Sequence, residues 1–108
     1  METNKIYNME CVEGMKAVVP DGSVDLIITS PPYNIGINYD SWNDKMDWND
    51  YWKFKKNWLK ECFRLLKDDG RICINHYLSF GDSNCRVAPL MEINKIAQNI
   101  GFKHHSVA

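Results

Sequence analysis

A chain of 108 residues has room for one domain at most, and is short for an enzyme that must hold a macromolecule and a cofactor together. Hydrophobic residues at 44% and aromatics at 12% are the content of a globular core, and no stretch approaches 18 uninterrupted apolar residues, which excludes a membrane span and a disordered chain. Thirteen Lys and Arg against fourteen Asp and Glu give a net charge of −1, which is not the footprint of an independent nucleic-acid binder.

Met1-Glu2-Thr3-Asn4-Lys5 lacks a charged start followed by an apolar segment, so a cytoplasmic setting is expected. Lys5 to Asn8 reads as a short strand, and a helix follows from about Cys11 to Val19, with Val12, Met15 and Val19 on one side. Pro20-Asp21-Gly22-Ser23 stops it. Val24 to Thr29 is nearly continuous in apolar residues, the signature of a parallel strand covered on both faces. Asn34 to Asp47 has no clear periodicity and reads as a loop, either a lid beside a site or a plain connection.

A long helix is expected from a cap at Asn49 or Asp50 to about Lys67, with Tyr51, Trp58, Cys62, Leu65 and Leu66 inward. Lys53, Lys56, Lys60 and Lys67 lie near one stripe of it, which reads as a solvated face in preference to a phosphate contact. Asp69-Gly70 turns the chain into a strand from Arg71 to Leu78, where His76 reads as a core or edge residue. Pro89 suits the first turn of another helix, with Leu90, Ile93, Ala97 and Ile100 on one face and Gly101 as its stop. Phe102 begins a further strand that runs into Ala108 without a partner, so the chain reads as cut. Cys11, Cys62, Cys73 and Cys85 show no Cys-x-x-Cys pairing and no His at zinc-ligand spacing. They read as reduced thiols, Cys62 and Cys73 on buried faces, and no metal is expected.

One segment carries chemistry. Ser30-Pro31-Pro32-Tyr33 follows the apolar strand directly, and two prolines fix φ near −65° while offering no N–H. Ser30 and Pro31 each precede a proline and are pushed toward extended backbone. The strand therefore ends in a stiff corner at the carboxyl edge of the sheet, where ligands of open α/β sheets collect. A planar ring bearing an exocyclic amine suits every group there. Tyr33 would stack on its face, while a Ser30 oxygen and the Pro31 carbonyl each accept one amine hydrogen. Extruding a base costs a few kcal/mol, and stacking on one aromatic returns about 1–3 kcal/mol.

Thr29-Ser30-Pro31-Pro32-Tyr33-Asn34, preceded by Ser23-Val24-Asp25-Leu26-Ile27-Ile28, resembles the catalytic motif of the amino-group DNA methyltransferases, which methylate the 4-amino group of cytosine or the 6-amino group of adenine. Ile6 to Met15 resembles that family's first strand and turn, where an acidic residue precedes Cys. Leu65 to Ile74 resembles its helix, Asp-Gly turn and next strand. The order is that of the subclass with the catalytic half first. The resemblance implies an α/β chain, a partial Rossmann-like S-adenosylmethionine-dependent methyltransferase fold with a mostly parallel sheet. It makes Ser30, Pro31, Pro32 and Tyr33 the catalytic set, and Glu10, Ser30 and Pro31 the residues nearest the cofactor, with Cys11 on the same side.

The family's Gly-rich cofactor turn has no counterpart, since no two of the six glycines lie closer than eight residues, and Phe80-Gly81-Asp82 lacks its second glycine. Residues 1–108 are thus expected to be the catalytic half of a methyltransferase domain cut before that motif, inactive alone, with S-adenosylmethionine as donor. Double-stranded DNA with a flipped target base is the expected partner, together with a C-terminal half or complementing polypeptide. Ser30 at the first motif position resembles the cytosine enzymes more than most adenine ones. Adenine remains the alternative, a non-catalytic partner module or remnant is a second, and methylation of RNA or a protein amide is disfavoured because that motif more often begins with Asn.

Overall fold

The computed structural model describes residues 1–77, 80–81 and 86–107. In chain order they form helix α1 (Cys11–Val18), strand β1 (Val24–Thr29), helix α2 (Trp48–Leu65), strand β2 (Leu66–Ile74), the short strands β3 (Phe80–Gly81) and β4 (Arg86–Val87), and helix α3 (Pro89–Ile100). β1 and β2 pair in parallel, and β3 and β4 form a separate antiparallel pair. The result is a mixed helix and strand architecture around a two-stranded parallel sheet.

Each helix begins for a local reason. The Glu10 carboxylate accepts the Glu13 N–H at 2.8 Å and caps α1. Asp47 does the same for α2 through the Asn49 N–H at 2.9 Å, so the helix starts earlier than a cap at Asn49 or Asp50 would place it. Pro89 sits in the first turn of α3, and Gly101 ends that helix at φ 134°, a backbone conformation open to glycine.

α2 is the organising element. Of the residues expected inward, Tyr51, Trp58, Cys62 and Leu65 are buried on it and Leu66 is buried at the start of β2, while Leu59 is buried as well without having been expected. Trp58, Leu59, Cys62 and Ile93 of α3 form the centre of the core. Val12 and Met15 of α1, Ile27 of β1, Ile72 and Ile74 of β2, and Ile96, Ala97 and Ile100 of α3 pack around it. Arg64 ties α1 to α2: its guanidinium donates to the carbonyls of Val19 at 2.9 Å and of Met15 at 3.0 Å, the latter also accepting the Val19 N–H at the end of α1.

Several expectations are corrected. Lys5 to Asn8 is not a strand, because no described strand lies beside it, and Ile6 stays 95% exposed. β1 is a parallel strand but is covered on one face only. Ile27 points into the core, whereas Leu26 and Ile28 on the other side are 51% and 75% exposed. Cys73 shares that open face and is exposed, not buried. β2 starts at Leu66, ahead of the expected turn, because Val24 pairs with Leu66 and Leu26 with Arg71, leaving Lys67–Gly70 as an irregularity inside the strand. Phe102 does not begin a strand; its ring meets Phe63 edge-on at 5.1 Å and joins the core. The expected strand end at Leu78, Asp82 of the Phe80-Gly81-Asp82 segment, Cys85 and Ala108 lie outside the described residues.

Candidate functional site

The carboxyl ends of β1 and β2 lie side by side, with Thr29 opposite Ile74. Residues 30–33 and 75–77 therefore leave the sheet together, and the Asn75 N–H donates to the Thr29 carbonyl at 2.9 Å, extending the pairing by one step. Two chain segments far apart in sequence build one corner.

Ser30 is exposed, Pro31 is buried, and Pro32 and Tyr33 are half-buried. The Ser30 and Tyr33 hydroxyls are hydrogen-bonded to each other at 2.6 Å, and the Asn75 side-chain amide donates to the Tyr33 oxygen at 2.9 Å. Tyr33 is only partly open to solvent. The His76 ring stands 4.7 Å from it at a tilt, and the Tyr77 ring 4.9 Å away edge-on. The side chains of 75–77 thus back the aromatic that the diproline carries. Sequence reading passed over Asn75. Its position was accessible from one signal: residues just past adjacent parallel strand ends share an edge.

Beneath the corner, Tyr51 is fully buried and its hydroxyl donates to the Pro32 carbonyl. The same oxygen lies 2.8 Å from His76 Nε2. Burial, with Asp44 and Tyr33 adding to it, pushes the Tyr51 phenol well above its ordinary pKa, so it stays protonated. Burial also lowers the His76 pKa to about 4, helped by the positive charge of Lys55, so the imidazole is neutral at pH 7.

Residues after the corner form a built loop. Asn34 takes a left-handed φ of 59°, and its side chain brackets Met46, donating to the Met46 carbonyl at 2.9 Å and accepting the Met46 N–H at 2.8 Å. The buried Asp44 carboxylate accepts three backbone N–H groups, from Asn34 at 3.0 Å, Ile35 at 3.1 Å and Ile37 at 2.9 Å. Acidic residues that argue against phosphate contact here serve the backbone instead. Trp42, on the same loop, packs on Phe54 of α2 with ring centroids 4.7 Å apart.

That pair walls a cleft of about 390 Å³, lined also by Asn8, Met9, Glu10, Cys11, Pro32 and Ser41. It brings Glu10 and Pro32 of the expected set to one opening. Ser30 and Pro31 are not among its lining residues. Glu10 has a structural duty as the α1 cap, and the Glu13 N–H holds its carboxyl below the usual range. Cys11 donates its S–H to the other Glu10 oxygen at 3.6 Å, and burial beside that carboxylate pushes the thiol pKa up. The Trp42 indole N–H is buried without a partner. The cleft thus combines a carboxylate with flat apolar walls.

Lys55 went unnoticed in the sequence, where neighbouring lysines suggested a solvated stripe. It is fully buried on α2, and its Nζ has no hydrogen-bond partner. The rings of Tyr51, Phe54 and Trp58 surround it at 5.0, 5.4 and 5.0 Å. No helix among the described residues is long and apolar enough to cross a membrane.

Known proteins share this arrangement of sequence. A family model described as DNA methylase matches residues 24–107, a span that holds the whole diproline corner and the strand behind it. The type II methyltransferase M.MjaVI of Methanocaldococcus jannaschii is 40% identical over 95% of the chain, which spans 54% of that protein. M.HpaI of Haemophilus parainfluenzae, also a type II methyltransferase, is 44% identical over 59% of the chain and 21% of its own length. The DNA adenine methyltransferase YhdJ of Escherichia coli is 37% identical over 79% of the chain and 30% of its own length. The chain thus spans about half of M.MjaVI and smaller shares of the other two. With residues 24–107 matched, the chain belongs to the N6/N4 DNA methylase family.

Proposed function

We propose that residues 1–108 are the catalytic half of a site-specific DNA methyltransferase that moves a methyl group from S-adenosylmethionine to an exocyclic amine of a flipped base, the 4-amino group of cytosine by preference. The single observation behind this reading is the rigid Ser30-Pro31-Pro32-Tyr33 corner at the carboxyl end of β1 in a chain of this family. An aromatic amine is a poor nucleophile because its lone pair is conjugated with the ring. Acceptors for both amine hydrogens favour a pyramidal nitrogen whose lone pair is free. The Pro31 carbonyl has no hydrogen-bond partner among the described residues, and the Ser30 oxygen, paired with the Tyr33 hydroxyl at 2.6 Å, would accept an amine hydrogen in place of its long 3.4 Å contact from the Asn75 amide. Tyr33 offers the stacking surface.

When bound, S-adenosylmethionine supplies an electrophilic methyl on a sulfonium. Glu10, Cys11, Pro32, Trp42 and Phe54 would hold it, the carboxylate favouring its positive charge or its polar edges and the rings its purine. Ser30 and Pro31 lie on the corner beyond Pro32, where amine and donor must meet in line. The remaining fold would come from a C-terminal half or a complementing polypeptide. The open face of β1 and β2, with Leu26 and Ile28 bare, supports that reading, since parallel sheets are ordinarily covered on both sides.

Ser30 in place of a carboxylate favours cytosine. The adenine 6-amino group is the second reading, favoured by the likeness to YhdJ. Incubating the chain with the part of M.MjaVI that it does not match, labelled donor and duplex DNA, then scoring methylcytosine and methyladenine, tests both. Label in methylcytosine is expected; label in methyladenine selects the second reading, and none above a chain-free control overturns methyl transfer.

A further inference from the structure

We propose that Tyr51 and His76 are positioning residues for the amine-accepting corner, acting as a two-step hydrogen-bond brace that fixes the Pro32 carbonyl inward and so leaves the Pro31 carbonyl free to receive the base. This rests on the methyl-transfer reading of the corner. Neither residue touches a substrate in this role.

The direction of the brace follows from counting protons. A phenol has one hydrogen, and the Tyr51 oxygen faces two groups, the Pro32 carbonyl and His76 Nε2. A carbonyl oxygen cannot donate, so the hydroxyl proton must lie on the Pro32 side, or two oxygens would face each other bare. His76 Nε2 then carries a hydrogen and donates to the Tyr51 oxygen. In a neutral ring the other nitrogen, Nδ1, is the bare one, and it is buried without a partner. An acceptor without a donor is the milder of the two orphan states, because a buried N–H is almost always paired. The Pro32 contact and the single phenol hydrogen therefore give one chain of donation: His76 to Tyr51 to Pro32.

Its mechanical effect reaches both sides of the corner. Pro31 and Pro32 are held at nearly fixed φ, so tying the Pro32 carbonyl leaves ψ of Pro32 little freedom. Tyr51 is anchored at the first turn of α2 and is fully buried, which makes the tie rigid. His76 meanwhile backs the Tyr33 ring at 4.7 Å, so the residue that orients Tyr51 also sets the tilt of the stacking aromatic. One imidazole couples the carbonyl geometry to the ring geometry.

The test has a spectroscopic and a kinetic part. Nitrogen-15 spectra of the chain's imidazoles should show His76 protonated at Nε2 and bare at Nδ1; the opposite tautomer overturns the brace. In the complemented methylation assay, Tyr51→Phe, which removes one oxygen, should lower kcat about 10- to 100-fold with the KM for DNA changed less than about twofold. His76→Gln, whose amide can donate from the Nε2 position, should retain most of the rate that His76→Leu loses. Wild-type kcat in Tyr51→Phe, or equal loss in both His76 variants, removes the positioning role and leaves methyl transfer standing. If Tyr51→Phe fails to fold, the contrast between the His76 variants decides. No transfer by the wild type under complementation overturns the methyl-transfer reading, and this role with it.

Discussion

Replacing Lys55 with Met should stabilise the chain by several kcal/mol below pH 7 and by little near pH 10.5. Lys55 is 0% exposed and its Nζ has no hydrogen-bond partner. The nearby Cys11 and Cys62 thiols give it no counter-charge, since burial raises both their pKa values, that of Cys62 to about 12. Burial lowers the Lys55 pKa from 10.5 to about 7. At about 1.4 kcal/mol per pH unit, that fall puts a ceiling of roughly 5 kcal/mol on the cost of keeping the ammonium inside.

Three aromatic faces already surround it, and cation–π attraction of about 1–2 kcal/mol offsets part of the desolvation, leaving roughly 3–4 kcal/mol for Met to recover. Between pH 7 and 10.5 the unfolded chain binds more protons at this site than the folded one. Stability of the wild type therefore rises with pH across that window and is flat at this site below it. Met fills similar space without charge. Urea unfolding followed by tryptophan fluorescence from pH 6 to 10.5 should show the two proteins converging as pH rises. Parallel curves, or a Met variant less stable at pH 6, would refute the reasoning, because the amine would then have a partner worth keeping.

Ser30→Ala should leave thermal stability unchanged, since Ser30 is exposed, while lowering turnover up to about tenfold through loss of one acceptor; full activity under complementation removes Ser30 from the mechanism. Asp44→Ala strands three backbone N–H groups and should cost about 2–4 kcal/mol in urea unfolding, with the 34–46 loop losing amide protection first. A cost near zero would mean that water replaces the carboxylate. Gly101→Ala should lower stability by about 1–2 kcal/mol, because φ is 134° and the new methyl would stand 2.9 Å from the Phe63 ring; an unchanged Tm would contradict that contact.

The helices and the corner were legible because their causes are local. Tyr51, Trp58 and Cys62 recur at helical spacing, Pro89 and Gly101 bracket α3, and two prolines stiffen residues 31 and 32 wherever they occur. What escaped the sequence depends on partners far along the chain. Asn75 matters at the corner only because β2 lies beside β1 in one register. Asp44 looks like loop acidity until its carboxylate meets the amides seven to ten residues upstream. Lys55 is turned about a hundred degrees from Lys56 and about 160° from Lys53 around the helix, and only the position of α1 and the aromatics shows which one is enclosed. Coverage of β1 was misjudged for the same reason: an apolar run states a demand for cover, and cannot say whether the covering element is present.

That unmet demand governs how this polypeptide should behave in a test tube. With Leu26 and Ile28 bare on one side and unpaired backbone along the rim of the strand pair, isolated material should bind hydrophobic dyes such as anilinonaphthalene sulfonate and stick to itself as concentration rises. Quenching of the dye on mixing would therefore report a fitting counterpart before any chemistry is assayed.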